Sequence, residues 1–344
     1  MKYSHVCLHG FGYELPPNEM TSAEIEERLA PLYDRLKLPR GRLELMSGIH
    51  CRRFWDRGTL PSTGAIRAGR RALAASPVDV DEIDFLAFTS VSRDMMEPAT
   101  AAFVHHELGL GDHCLLFDIS NACLGFLNGM IMLANMIELG QVRHGLIVAG
   151  ETAEDLVHST LAHLLGDSSL TRSTIKPAFA SLTIGSGAVA LVMGDRRRLD
   201  SGHYLVAGAC RANTRHNDLC RGGQNAEQGV LMSTNSELLL TRGIETAAGC
   251  WDAFLQETGW QPEEIDRFFC HQVGSAHARR LFSSLGLDPG RNFETLPRLG
   301  NVGSVSAPVT MALGIEAGML ASGDCCALLG IGSGINSLML AITW

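Results

Sequence analysis

Asp81-Glu82-Ile83-Asp84-Phe85-Leu86-Ala87-Phe88 and Glu263-Glu264-Ile265-Asp266-Arg267-Phe268-Phe269-Cys270 share one pattern. Each has an acidic start and then an apolar run of strand length. Each follows a segment of helical pattern, 63–75 in one case and 245–256 in the other. Each precedes a second helix that stops at Leu-Gly-Leu, at Leu108-Gly109-Leu110 and Leu285-Gly286-Leu287. A glycine there suits a left-handed helix stop. The correspondence runs on. Short strands at 114–119 and 291–295 lead through small-residue turns into long apolar helices at 124–139 and 305–321. Buried strands follow, Gly145-Leu146-Ile147-Val148-Ala149-Gly150 and Ala327-Leu328-Leu329-Gly330-Ile331-Gly332.

Strand and helix alternating in this way, twice over, predict an α/β fold with parallel strands and crossover helices. A helix that is apolar nearly all round, like 124–139, belongs in a core between two sheets. The duplication divides the chain into an N-terminal half, 1–195, and a C-terminal half, 196–344. No low-complexity linker separates them, so one compact unit is expected. No period of 20 to 50 residues recurs, which excludes a solenoid. The polar, irregular stretch 195–240 is expected to hold lids, edge strands and binding loops.

Composition narrows the function classes. The 344 residues are 46% hydrophobic and 19% charged, a globular balance rather than a disordered one. A formal charge of -9 disfavours a nucleic-acid partner. The opening MKYSHVCLHGFGYELPP lacks the apolar run of a signal peptide. No stretch approaches the roughly 20 apolar residues of a transmembrane helix, so a cytoplasmic protein is expected. The 10 cysteines are scattered with no CxxC pair. That suits small buried hydrophobes and one reactive thiol better than a disulfide framework.

Ligands of open α/β sheets bind beyond the carboxyl ends of strands, near helix N-termini. Cys123 has such a place in Phe117-Asp118-Ile119-Ser120-Asn121-Ala122-Cys123-Leu124-Gly125-Phe126. A thiol at the start of the long helix is expected to feel the positive dipole end, which favours thiolate. A random cysteine is more often inert and buried; position argues here for a nucleophile. His271 directly follows the strand ending at Cys270, and Asn301 sits in Gly300-Asn301-Val302-Gly303-Ser304. Alone, the first reads as a strand-end histidine and the second as a turn asparagine. Together the three occupy related places in the two halves. A thiol that takes an acyl group, with two donors for an enolate oxygen, suits thioester chemistry.

On these residues the chain resembles the ketoacyl synthase III branch of the thiolase superfamily. The resemblance spans essentially the whole chain. It is carried by Ser47-Gly48-Ile49 with Arg52-Arg53, the Cys123 segment, His271-Gln272, Gly300-Asn301 and Gly330-Ile331-Gly332-Ser333-Gly334. It implies a duplicated five-layer αβαβα fold with mixed sheets and buried central helices. It also implies a homodimer, a Cys123–His271–Asn301 triad, ping-pong acyl transfer, and an oxyanion hole from the N–H groups of Cys123 and Gly334. Acyl-CoA or acyl-carrier-protein thioesters are the implied partners, with no cofactor and no metal.

A closer likeness lies in Ser92-Arg93-Asp94-Met95-Met96-Glu97-Pro98-Ala99-Thr100-Ala101. It resembles the segment of OleA-type acyl-CoA condensing enzymes that carries a catalytic glutamate into the partner subunit's site. A malonyl substrate makes its carbanion by losing carbon dioxide. An acyl-CoA must lose an α-proton instead, so a base is needed. Glu97 beside Met95, Met96 and Pro98 suits that role, because apolar surroundings raise a carboxyl pKa. The plain alternative is a surface glutamate at a bend. Fatty-acid initiating enzymes read His-Gln-Ala-Asn where this chain has His271-Gln272-Val273-Gly274, and place Trp and Arg where it has Arg42 and Met46. Their contact to the CoA nucleotide therefore does not carry over.

The expected activity is a non-decarboxylative condensation of acyl thioesters. The alternatives are a malonyl-dependent ketoacyl synthase III and a catalytically silent acyl-binding subunit. Other motifs carry less. Gly330–Gly334 has no following helix for a dinucleotide loop. The adjacent pairs His105-His106 and Cys325-Cys326 point apart and do not chelate. Arg196-Arg197-Arg198 reads as a solvated turn.

Overall fold

The computed structural model describes residues 1–225 and 229–344. The N-terminal half contributes β1 (Val6–Glu14), a small pair β2 (Asn18–Thr21) and β3 (Cys51–Phe54), then β4 (Ile83–Phe88), β5 (Leu115–Asp118), β6 (His144–Glu151) and β7 (Gly187–Asp195). The C-terminal half contributes β8 (Tyr204–Ala212), a hairpin of β9 (Cys220–Asn225) and β10 (Gly229–Thr234), then β11 (Arg267–Cys270), β12 (Cys325–Gly332) and β13 (Asn336–Thr343). The long strands run in the order β11-β12-β13-β8-β1-β7-β6-β4-β5. The halves meet at the pairing of Cys7 with Tyr204. β4 is parallel to β5 and β6, and β11 is parallel to β12; β7 and β13 run antiparallel to their neighbours. The sheets are mixed, and the parallel strands are those that lead to the candidate site.

Strand alternation sorts the core into layers. Along β4, Phe85 and Ala87 face one core, while Leu86 and Phe88 face another; Ile83 joins the second core across the register shift before Phe85. The first core lies between the sheets and holds both central helices, Gly125–Glu138 and Ser306–Glu316. Phe126, Leu127, Met130, Leu133 and Ile137 are all fully buried there. Each such burial is worth roughly 1.5–3 kcal/mol. The helices Pro61–Ala74 and Thr100–Leu108 cover the outer face of the N-terminal sheet. Helices Ser236–Thr258 and Ser275–Leu285 cover the C-terminal one. Helix, sheet, helix, sheet, helix is the expected five-layer order. A fourth cluster, with Ile25, Leu29, Tyr33, Val157 and Leu164, packs helices of the cap against this frame.

Three sequence expectations change. The strand at 291–295 shrinks to one bridge, Asn292 to Phe268, with Pro289–Arg291 in a 3-10 turn. Pro289 and Gly290 turn the chain there, and the polar Asn292 and Glu294 give no apolar strand face. The stretch 195–240 contains β8, an interior strand that pairs along β13. Its Ala207-Gly208-Ala209 core is apolar but small, and so gives a weak strand signal; residues 226–228 of that stretch lie outside the described residues. The helix expected at 245–256 starts earlier, at Ser236, where the Asn235 side chain accepts from the Leu238 N–H at 3.2 Å. Among the described residues, no helix is long and apolar enough to cross a membrane.

Candidate active site

β5 ends at Asp118, whose carboxylate accepts the N–H groups of Thr100 and Ala101, each at 2.9 Å. This caps the helix that follows the Glu97 segment. The chain then turns sharply into the central helix. Ala122 adopts φ 48, a left-handed conformation that costs a non-glycine residue roughly 1–3 kcal/mol. Such strain is maintained only where neighbours over-determine the backbone. Here they do. Asn121 accepts from Asn336 Nδ2 at 3.1 Å and donates to Asn128 at 2.8 Å. Gly330 and Gly332 of β12 leave room for Leu124: an added Cβ would meet its side chain at 2.5 and 3.0 Å. The Gly332 position also approaches the Cys123 backbone nitrogen, at 3.8 Å from such a Cβ. Gly125 is pressed against the neighbouring strand end, since a Cβ would lie 2.1 Å from the Thr89 carbonyl oxygen.

Cys123 keeps partial exposure as a residue, yet burial pushes its thiol up to about 12, with the negative charge of Glu151 adding to the rise. Cys123 therefore rests as a thiol, not the thiolate expected from the helix dipole. The helix starts two residues later, at Gly125, and desolvation outweighs its field.

His271 follows β11, with its N–H bonded to the Leu329 carbonyl of β12 at 2.8 Å. Gln272 locks this corner. Its amide donates to the Phe293 carbonyl at 2.8 Å and accepts from Thr295 and Leu296 at 3.0 and 2.8 Å. Neither ring nitrogen of His271 has a protein partner, although both are shielded from solvent. Burial, and secondarily the charge of His277, lower its pKa to about 4, so the imidazole is neutral. A neutral ring with one free donor and one free acceptor can take a thiol proton and give it back.

Asn301 is held by its backbone: its N–H donates to Thr183 at 2.9 Å, and its carbonyl accepts from Gly185 at 2.8 Å. Gly300 before it has φ 68, and a Cβ there would sit 2.7 Å from the Thr183 oxygen. Asn301 Oδ1 accepts the Gly303 N–H at 3.1 Å. That leaves the amide nitrogen as the free donor.

Cys123 thus follows β5 and lies beside Gly332 at the end of β12, His271 follows β11 beside Leu329 of β12, and Asn301 is held against Thr183 and Gly185 ahead of β7. Gly334 lies in the turn after β12, at φ 129, beside the Asn336 side chain that holds Asn121. Glu97 lies elsewhere on the single chain. It is exposed, and Met96 beside it is 98% exposed, so the apolar pocket expected around Glu97 is not formed within one subunit. Sequence reading missed Glu151. Its buried carboxylate accepts from Val91, Ser92 and Ser304 and adds negative charge near Cys123. The available signal was an acidic residue continuing a wholly buried strand, Gly145–Gly150.

The family described as 3-oxoacyl-[acyl-carrier-protein] synthase III matches residues 117–211, and its C-terminal part matches residues 255–344. An acyl-CoA:acyl-CoA alkyltransferase of Shewanella oneidensis is 40% identical over 351 positions, covering 100% of both chains. One from Xanthomonas campestris pv. campestris is 39% identical, again over 100% of both. A crystal structure of Xanthomonas campestris OleA, a cysteine-to-alanine variant, superposes with TM-score 0.95 at 38% identity, covering 100% of this chain and 98% of that one. The chain belongs to the 3-oxoacyl-[acyl-carrier-protein] synthase III family of the thiolase superfamily, on its OleA-type branch of condensing acyltransferases.

Proposed function

We propose that the protein condenses two acyl-CoA molecules without decarboxylation, through an acyl group carried on Cys123. The single observation that carries the acyl-transfer part of this reading is the buried His271 ring, whose two nitrogens have no protein partner and are free to exchange a proton with a thiol. The Cys123 proton passes to a ring nitrogen of His271 as Sγ attacks the thioester carbonyl. The carbon–sulfur bond to CoA breaks, and the departing thiolate takes the proton from His271. The N–H groups of Cys123 and Gly334 receive the oxyanion.

In the second half-reaction a carboxylate removes an α-proton, and His271 and the Asn301 amide donate to the enolate oxygen. The carbanion attacks the other acyl carbonyl, that carbon–sulfur bond breaks, the departing thiolate takes up a proton while the carboxyl gives its own back to solvent, and a β-ketoacyl thioester results. Glu97 of a second copy is the base. Its exposure fits that role, as do the exposed apolar side chains Leu60, Val91, Met95 and Met96 around its loop. An open groove of about 430 Å³ beside Met95, lined by Leu60, Ile66 and Phe103 and rimmed by Arg67, Arg70 and Glu107, offers a surface of mixed character for a homodimer contact. The homodimer is taken to act in the cytoplasm.

Purified protein incubated with a long-chain acyl-CoA alone, with no malonyl donor, tests this by mass spectrometry. An adduct on Cys123 and a β-keto product that vanishes in Glu97→Ala are expected. An adduct that condenses only after a malonyl thioester is added would replace this reading with the decarboxylative one. No adduct from any acyl donor would leave a silent acyl-binding subunit.

A further inference from the structure

We propose that Glu151 is a positioning residue of the condensing site, a buried carboxylate that clamps the loop carrying Glu97 to the turn carrying Asn301. The inference rests on the condensing function proposed above.

Glu151 closes β6 and is almost wholly buried. Its carboxylate takes five hydrogen bonds from two distant segments. Oε1 accepts from the Val91 N–H at 2.9 Å, the Ser304 N–H at 3.3 Å and the Ser304 hydroxyl at 2.8 Å. Oε2 accepts from the Ser92 N–H at 3.0 Å and the Ser92 hydroxyl at 2.9 Å. Ser92 opens the segment that reaches Glu97. Ser304 lies just past Asn301, and Gly303 between them passes so close that a Cβ would stand 3.0 Å from Oε1. The Glu151 carbonyl also accepts the Trp55 indole N–H at 3.0 Å, which anchors the strand end.

Packing alone does not call for a charge here. A neutral side chain of similar shape avoids the desolvation cost of a buried carboxylate. The ionised form is the one that matches five donors, because it accepts at both oxygens and donates nothing. Its charge has a second effect, on Cys123. Burial first, and then the Glu151 carboxylate, disfavour thiolate there. Glu151 therefore sets two distances and biases one protonation state without touching substrate.

Glu151→Gln tests this. The variant keeps size and shape but turns an amide N–H₂ toward donors at one end. Four readouts are compared with wild type: thermal melting, acylation of Cys123 by an acyl-CoA, β-keto product per acylation, and the pH profile of Cys123 alkylation by iodoacetamide. The expected result is a folded protein whose alkylation profile moves to lower pH. Acylation stays within about threefold, while kcat for condensation falls about 10- to 100-fold with KM little changed, as misplacement of donors predicts. Ser92→Ala and Ser304→Ala each remove one arm and should lower kcat by about 3- to 10-fold, with smaller shifts in the alkylation profile. A folded Glu151→Gln with wild-type product per acylation and an unmoved alkylation profile overturns the proposal. If that variant does not fold, wild-type kcat in both serine variants overturns it. A wild-type protein that acylates but does not condense acyl-CoA defeats the functional reading instead, and the alkylation profile still judges Glu151.

Discussion

The two halves of the molecule share a scaffold and, in the mechanism proposed above, divide the chemistry. After β4 in the N-terminal half, the strand end continues into Thr89 and Ser90. Thr89 donates its hydroxyl to the Val148 carbonyl at 3.0 Å, and Ser90 accepts from the Gly150 N–H at 2.8 Å. Both are consumed by local structure. At the matching point after β11, the C-terminal half places His271, whose ring nitrogens are left free. The positions before the central helices differ in the opposite sense. The N-terminal half strains Ala122 to present a nucleophile, while the C-terminal half uses Gly300, which takes positive φ at little cost, to present an amide. At the ends of β6 and β12 the contrast recurs: Glu151 follows Gly150, and Ser333 follows Gly332. Duplication thus supplies geometry twice, and function needs it only once per group. Each half retains the groups that the other lacks.

The comparison is sharpest at the groups themselves. Cys123→Ala should abolish acyl transfer, on the order of 10³-fold or more in rate, with the fold intact. Loss of the mass adduct checks it; persistence of acyl transfer would assign the nucleophile elsewhere and break the division of labour. Asn301→Ala should lower condensation kcat by about 10²-fold, the usual cost of one oxyanion donor, while Cys123 still acylates. An equal loss in acylation and condensation would instead make Asn301 part of a frame that both steps share.

Stability should separate the halves as well. Gly125→Ala drives a Cβ against backbone, the Thr89 carbonyl, whereas Gly314→Ala meets the Phe269 ring edge at 2.6 Å, a side chain that can shift. The N-terminal change should cost roughly 1–3 kcal/mol as overpacking and the C-terminal one less. Thermal melts of the two variants decide. A larger fall for Gly314→Ala would mean that the C-terminal core is the more tightly packed.

Much of this was legible from sequence because it depends on local pattern. Paired acidic-then-apolar runs exposed the duplication, and strand ends beside long apolar helices singled out Cys123, His271 and Asn301. What was not legible depends on partners far apart in the chain. The thiol of Cys123 is raised by burial and by Glu151, which no motif near Cys123 reveals. β8 carries small residues that pack well only once β13 is alongside. The 291–295 segment has strand length but leaves directly from the turn at Pro289–Arg291 and keeps a single bridge. The surroundings of Glu97 belong to no stretch of the single chain that encloses them.

The smallest expected effect lies far from catalysis and tests the halves through acid. In the N-terminal sheet, His9 of β1 and His144 of β6 face each other with ring centroids 5.4 Å apart, across Gly194 of β7. Their Nδ1 atoms are buried without partners. Burial, then the charge of His144, lowers His9 to about 4, and burial also lowers His144. In the C-terminal sheet His203 is lowered by burial too, but it stacks on Trp344 at 3.8 Å rather than on another histidine. A histidine whose folded pKa is depressed is stabilising in its neutral form. That contribution is complete above the unfolded pKa, about 6.5, and drains away as pH falls toward 4, where the unfolded chain binds a proton that the native one resists. For His9 the integral is on the order of 3 kcal/mol at most. His9→Gln should therefore leave stability near pH 7.5 almost unchanged, or slightly lower, and flatten the loss between pH 6.5 and 4 in urea titrations. His203→Gln should flatten it less, because no second titrating ring opposes the first. Equal slopes in the two variants would show that the histidine pair adds nothing beyond burial, and the contrast between the sheets would reduce to desolvation alone.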